Sequence, residues 1–209
     1  DTLRAVLDFQ RNRGMSEDGI AGREVVDELL LMAKATDKPG REEVRDHAWI
    51  DSLPRPITGA RIFVDPAGSD PQDAAATWAV ATQLTAEIQM AGARALLSRS
   101  VDTAPSERLR AGRANRHDVQ VVISITIPSD GAEGVFYFGT SLSTSEAGRT
   151  IAVHLARHLS LEPLPRAMPL LKETRSPAVV IAVSDPQPEL GSAIGRAVVD
   201  LYAVGPDED

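Results

Sequence analysis

From residue 59 onward, short runs of β-branched and aliphatic residues alternate with longer stretches whose apolar positions recur three and four apart. The first pattern has the period of a strand and the second that of a helix. Strands are predicted at 61–64, 94–97, 119–124, 135–138 and 178–183, and helices at 74–91, 105–116, 143–160 and 189–201. Val119-Gln120-Val121-Val122-Ile123 is almost continuously apolar, which suits a central strand covered on both sides. The alternation predicts an α/β domain over 59–204. It should be a mostly parallel sheet of five or six strands with helices on both faces.

Upstream the pattern differs. Leu3, Val6, Leu7 and Phe9 give one helical face, and Val25, Val26, Leu29 and Leu30 give another. Between them lies Asp18-Gly19-Ile20-Ala21-Gly22, a turn-rich stretch whose two glycines can take positive φ. Residues 1–35 are thus expected to form two helices around a tight loop, too small to be a domain alone. Residues 36–58 are polar, with Pro39-Gly40, Pro54 and Pro56. They read as a linker with one short helix at 41–49. Residues 205–209 read as the start of a tail.

Composition narrows the function classes. The 209 residues are 43% hydrophobic and 25% charged, ordinary for a globular protein. There is no cysteine, which excludes disulfides, thiolate metal sites and a thiol nucleophile. The net charge of −8 disfavours nucleic-acid backbones as partners. No apolar run approaches the ~20 residues of a membrane helix. The opening Asp1-Thr2-Leu3-Arg4 shows neither a signal peptide nor an initiator methionine, so the chain is expected to continue upstream.

Candidate chemistry is sparse. The stretch Val64 to Pro71 follows the first strand, as a phosphate loop would, but its prolines remove backbone donors. His154 and His158 share a helix face at i, i+4 and could hold zinc together. Position 155 is leucine where a zincin has glutamate, so they read as two solvent-edge histidines with no metal between them. No serine sits in a glycine-flanked elbow, and Ser124 reads as a hydroxyl satisfied by backbone. Arg108, Arg110, Arg113 and Arg116 form a basic helix flank. It reads as a solvated face, with an anion or partner grip as the alternative.

Two resemblances add to this. Ala5-Val6-Leu7-Asp8-Phe9-Gln10, Arg13-Gly14-Met15 and Asp18-Gly19-Ile20-Ala21-Gly22 resemble the last two helices of a three-helix peptidoglycan-binding domain, whose first part would precede residue 1. Residues 59–204 resemble the zinc-dependent N-acetylmuramoyl-L-alanine amidases of the amidase-3 family. The carriers, in order, are Arg61 to Pro66, Ala91-Gly92-Ala93-Arg94 with Ser98-Arg99 and Asp102, Arg110 to Asn115, Asp118 to Ile125, Gly134 to Phe138, and Ser176 to Val180.

That family holds zinc with two histidines and a glutamate, and activates water with a second glutamate. Its Asp-Pro-Gly-His-Gly-Gly reads here as Asp65-Pro66-Ala67-Gly68-Ser69. Its ligand glutamate falls near Asp73, its Ser-Ile-His becomes Ser124-Ile125-Thr126, and its catalytic glutamate becomes Ala182. The resemblance thus implies vestigial metal and catalytic positions at Ala67, Asp73, Thr126 and Ala182. It implies no cofactor, no catalytic residue and no hydrolysis. Arg99, Arg110 and Arg113 are candidates for a ligand or partner groove.

With the erased site, Val135 to Ser141, Gly148-Arg149, Leu170 to Pro177 and Val198 to Tyr202 resemble a non-catalytic, actinobacterial branch of the family. This implies a cytoplasmic regulator of peptidoglycan precursor synthesis, membrane-associated only through partners. The implied partners are cell-wall enzymes such as the enolpyruvyl transferase MurA, a Ser/Thr kinase and phosphopeptide readers, with control by phosphorylation in a tail. Two alternatives stay open. One is an active zinc amidase using other ligands, for example His154 and His158. The other is a passive module that binds muropeptide or a lipid-linked precursor.

Overall fold

The computed structural model describes residues 2–35, 49, 53, 56–68, 70–99 and 105–204, without the side chains of 30–35 and 204. The chain divides into two compact units, Asp1–Arg41 and Glu42–Asp209.

The first unit has two helices, α1 (Thr2–Arg13) and α2 (Arg23–Ala35). Gln10 is its buried polar residue, only 3% exposed. Its side chain organises the connecting loop. Nε2 donates to Asp18 Oδ1 at 2.6 Å and to the Ile20 carbonyl at 3.2 Å, while Oε1 accepts from the Gly19 amide at 2.9 Å. Gly19 has φ +71°, a conformation that favours glycine. The Asp18 carboxyl is held below the usual carboxylate range, first by the Ile20 amide and then by Gln10.

The second unit follows the order β1 (Arg61–Pro66), α3 (Pro71–Met90), β2 (Arg94–Leu97), α4 (Glu107–Arg116), β3 (Val121–Thr126), β4 (Gly134–Tyr137), α5 (Glu146–Leu159), β5 (Pro163–Pro165), α6 (Pro169–Glu173), β6 (Ala178–Ala182) and α7 (Pro188–Val204). The strands form one six-stranded sheet in the order β2-β1-β3-β6-β4-β5. The β2-β1-β3-β6 block is parallel, β4 runs antiparallel to β6, and β5 is parallel to β4. Three helix starts carry side-chain caps: Asp70 accepts from the Gln72 and Asp73 amides, Ser106 from Leu109 and Ser145 from Gly148. Each satisfies an amide that the first helical turn would leave open.

Side-chain alternation along the strands divides the core into two layers. Ile62, Val64, Val121, Ile123, Ile125, Val179 and Ile181 face one side, where α3, α5 and α7 cover them. Phe63, Val122, Val180 and Ala182 face the other, against α4 and α6. Leu53 and Ile57 are 6% and 2% exposed and join the first layer, and the Trp49 indole N–H donates to the Gln120 carbonyl at 2.9 Å. The α/β unit therefore reaches upstream of residue 59 and takes in the end of the stretch that reads as a linker. Of the short helix expected at 41–49, all but Trp49 lies outside the described residues.

Tyr202 on α7 is fully buried in this first layer, and its hydroxyl has no hydrogen-bond partner among the described residues. Burial raises its pKa above that of an ordinary phenol. A buried unsatisfied hydroxyl carries a desolvation penalty with nothing to offset it. Tyr202→Phe is therefore expected to raise unfolding stability by about 1 kcal/mol. Urea denaturation checks the sign, and a loss of stability would contradict the assignment.

Candidate functional site

In a parallel sheet, ligands collect beyond the carboxyl ends of the strands. Here three adjacent strands end side by side. Pro66 of β1 is in register with Ile125 of β3, and Thr126 of β3 with Ala182 of β6. The Ala67 amide then donates to the Ile125 carbonyl at 2.8 Å. This register draws Ala67, Thr126 and Ala182 to one cleft of roughly 270 Å³. Asp73 does not line it. It sits in the first turn of α3, where its amide is tied to Asp70 and its carbonyl accepts from Thr77.

The floor of the cleft is apolar, formed by Phe136, Met168 and Val180, its charged rim comprises Glu107, Asp130 and Arg166, and buried Arg110 lies behind them. Gly68 also lines it. A Cβ there would lie 2.5 Å from Ala74 Cα, so the loop closes onto α3 with no room for a side chain. Glu107 Oε2 accepts from the Leu170 amide at 3.1 Å. Asp130 is 3.3 Å from Arg166, whose guanidinium lies 4.0 Å from the centre of the Phe136 ring. The Asp130 carboxyl is held below its usual range, first by the Ala132 amide and further by the Arg166 charge. A carboxylate so depressed is a weak base at neutral pH.

Behind the cleft is a buried ion pair. Arg110 Nη1 donates to Asp65 Oδ2, and Ser124 Oγ donates to the same oxygen at 2.7 Å. Asp65 is fully buried and Arg110 is 8% exposed. Ser124 thus bonds a carboxylate as well as the Asp65 carbonyl, where the sequence suggested backbone alone.

The basic flank of α4 also differs from its expected solvated state. Arg110 turns inward, Arg113 donates to the Ser98 carbonyl, and Arg108 pairs with Glu173 at 3.0 Å on the exposed side. Arg110 and Arg113 are three apart and share the inward side of the helix, while Arg108, two residues before Arg110, points the other way. Of the three groove arginines, Arg110 lines the cleft; Arg99 and Arg113 do not. Arg99 is 5% exposed and donates to the Pro66 and Ala74 carbonyls, both at 2.6 Å. It holds the β1–α3 loop. Burial lowers its pKa below that of a free guanidinium, and Asp65 opposes that shift.

His154 is not at the solvent edge. It is 6% exposed because α7 packs over it, and its Nε2 lies 3.0 Å from the Ala197 carbonyl. His158 remains at the surface. Asp200 of α7 approaches both rings, at 3.7 Å from His154 Nε2 and 3.3 Å from His158 Nε2. Among the described residues, these three form the group of potential metal ligands.

The fold is that of the N-acetylmuramoyl-L-alanine amidases. Ami1 of Mycobacterium smegmatis superposes with a TM-score of 0.57 at 19% identity, over 68% of this chain and 94% of Ami1. The amidase of Clostridium difficile 630 gives 0.55 at 19% identity, over 69% of this chain and 97% of that one. No protein-family model matches the sequence. The chain is an amidase-like protein that resembles CwlM of Mycobacterium tuberculosis, described as an N-acetylmuramoyl-L-alanine amidase. The two are 28% identical over 208 aligned positions, which cover 87% of this chain and 51% of CwlM. The chain spans about half the length of that relative.

Proposed function

We propose that this chain is a non-hydrolytic amidase homologue that regulates peptidoglycan precursor synthesis through protein contacts. The carrying observation is the make-up of the cleft. At the strand ends where the family resemblance puts a zinc site, the lining residues are Ala67, Gly68, Thr126 and Ala182. Counting along the Asp-Pro-Gly-His string places Gly68, rather than Ala67, opposite the histidine. Gly68 packs on Ala74, so neither position presents a donor. Thr126 offers a hydroxyl and Ala182 a methyl. A tetrahedral zinc site needs three protein donors of the histidine or carboxylate type, and these residues supply none.

The carboxylates that do line the cleft are engaged elsewhere. Glu107 caps the Leu170 amide and Asp130 pairs with Arg166. Neither stands as a free base over an activated water. The rim still offers a peptide or protein segment charged groups of both signs, Asp130 and Arg166, beside the half-buried Met168.

Partners of the regulatory kind, including MurA, a Ser/Thr kinase and phosphopeptide readers, are what the family resemblance implies. A pull-down on the purified chain with MurA, with and without kinase treatment, tests this. Retention of MurA in one phosphorylation state supports the reading, and absence of binding in both removes it. A single restored ligand should not recover chemistry. Thr126→His is expected to leave muropeptide hydrolysis at the blank rate with added zinc, because one imidazole does not make a tetrahedral site. Peptide release from muropeptide, followed chromatographically, checks this.

A further inference from the structure

We infer that His154, His158 and Asp200 form a divalent transition-metal site that clips α7 to α5, separate from the cleft at the strand ends. The three potential ligand atoms lie within 4.8 Å of one another. Asp200 Oδ2 is 3.3 Å from His158 Nε2 and 3.7 Å from His154 Nε2. Donors about 2.1 Å from a tetrahedral ion stand roughly 3.4 Å apart, so these separations already approximate two edges of a coordination tetrahedron.

The orientation of His158 supports the site independently. Its Nδ1 lies 3.0 Å from the His154 carbonyl, an acceptor only. Nδ1 must therefore carry the proton, and Nε2 is the nitrogen aimed at Asp200. A metal-binding histidine is commonly held in this way, its outer N–H on a backbone carbonyl and its inner nitrogen free for the ion.

His154 is the ligand that must adjust. Its Nε2 faces the Ala197 carbonyl at 3.0 Å. That carbonyl lies inside α7, where the helix already supplies an amide four residues on. It can give up the imidazole without being left bare, and the ring changes tautomer as Nε2 turns to the ion. His158 and Asp200 side chains are 37% and 46% exposed, so water can reach the fourth position. Imidazole and carboxylate donors suit Zn²⁺, Co²⁺ or Ni²⁺.

The site belongs to a different face of the protein from the cleft. Its helices α5 and α7 cover the first core layer, whereas Ala182 and Val180 of the cleft face the second. It therefore provides no route to hydrolysis at the strand ends, and it does not depend on the regulatory reading. It departs from the expectation of two metal-free histidines by adding Asp200, a third potential ligand that lies far along the chain on another helix.

The test is titration of the chelator-stripped full chain with Co²⁺, read by visible absorption, and with Zn²⁺, read by calorimetry and thermal unfolding. One ion per chain is expected, with tetrahedral Co²⁺ bands and a Tm that rises with Zn²⁺. His158→Ala and Asp200→Asn should each abolish the bands and the Tm rise, while His117→Ala keeps both. The two surface ligands are chosen because replacing buried His154 could disturb folding by itself. Absence of binding by the unaltered chain overturns the site. So does binding that survives either His158→Ala or Asp200→Asn.

Discussion

Arg110→Ala is expected to lower the unfolding free energy of the α/β unit by about 3–5 kcal/mol, the usual result of removing one member of a buried ion pair. Asp65 has no access to solvent, and its Oδ2 receives both Arg110 and Ser124. Its other oxygen, Oδ1, is buried without a hydrogen-bond partner among the described residues. Without Arg110 the carboxylate keeps one hydroxyl and loses its hydrogen-bonded counter-charge, with only the more distant influence of Arg99 left. A buried carboxylate left short of its counter-charge costs stability. Arg61→Ala provides the contrast. Arg61 pairs with Asp118 on the same unit, but the two side chains are 41% and 91% exposed. A surface pair of that kind contributes less than about 1 kcal/mol. Urea unfolding of both variants measures the difference, and equal losses would contradict it.

Gly191→Ala is expected to cost at least about 3 kcal/mol, the upper part of the range for overpacking a tight core. Gly191 is where α7 meets α3. A Cβ there would lie 2.1 Å from the Val80 carbonyl oxygen, 2.8 Å from Gln83 Cβ and 2.9 Å from the Leu84 amide nitrogen. Two of these three are backbone atoms, so no side-chain rotation relieves the overlap. The helices would have to part, and Val80, Leu84 and Ile194 would lose contact in the first core layer. A stability within about 0.5 kcal/mol of the parent, the range of surface changes, would show that α3 and α7 do not approach so closely.

The sequence carries those parts of the fold that are written in local periodicity. Val121 to Thr126 is continuously apolar up to its last residues and forms the central strand β3, displaced by two residues from the expected 119–124. Gln120 stays outside because its side chain bonds the Arg61 amide and its carbonyl takes the Trp49 indole. The strand β5, Pro163–Pro165, was not legible. Two of its three residues are prolines, which read as loop, and it is tolerated because it lies at the edge of the sheet. The five-residue helix α6 is too short for helical periodicity to show.

The site was legible in part. The strand-end positions 67, 126 and 182 could be placed by order along the chain. Of the charged lining, Arg110 could be named; Glu107, Asp130 and Arg166 could not, although Asp130 and Glu107 sit in segments that flank the carboxyl end of β3 and the start of α4, where a fold of this class gathers ligands. Long-range pairing was the larger gap. Asp65 finds Arg110 across 45 residues, and His154 finds the Ala197 carbonyl across 43. Spacing along one helix cannot announce a partner on another.

The cleft and the histidine cluster lead to one decisive measurement. The purified chain is incubated with muropeptide at neutral pH and excess Zn²⁺, and release of the peptide from the sugar is followed. Zinc is expected to bind at His154, His158 and Asp200 and to leave the muropeptide intact, at the same blank rate as the His158→Ala variant. Turnover by the unaltered chain that a chelator abolishes would contradict the non-hydrolytic account.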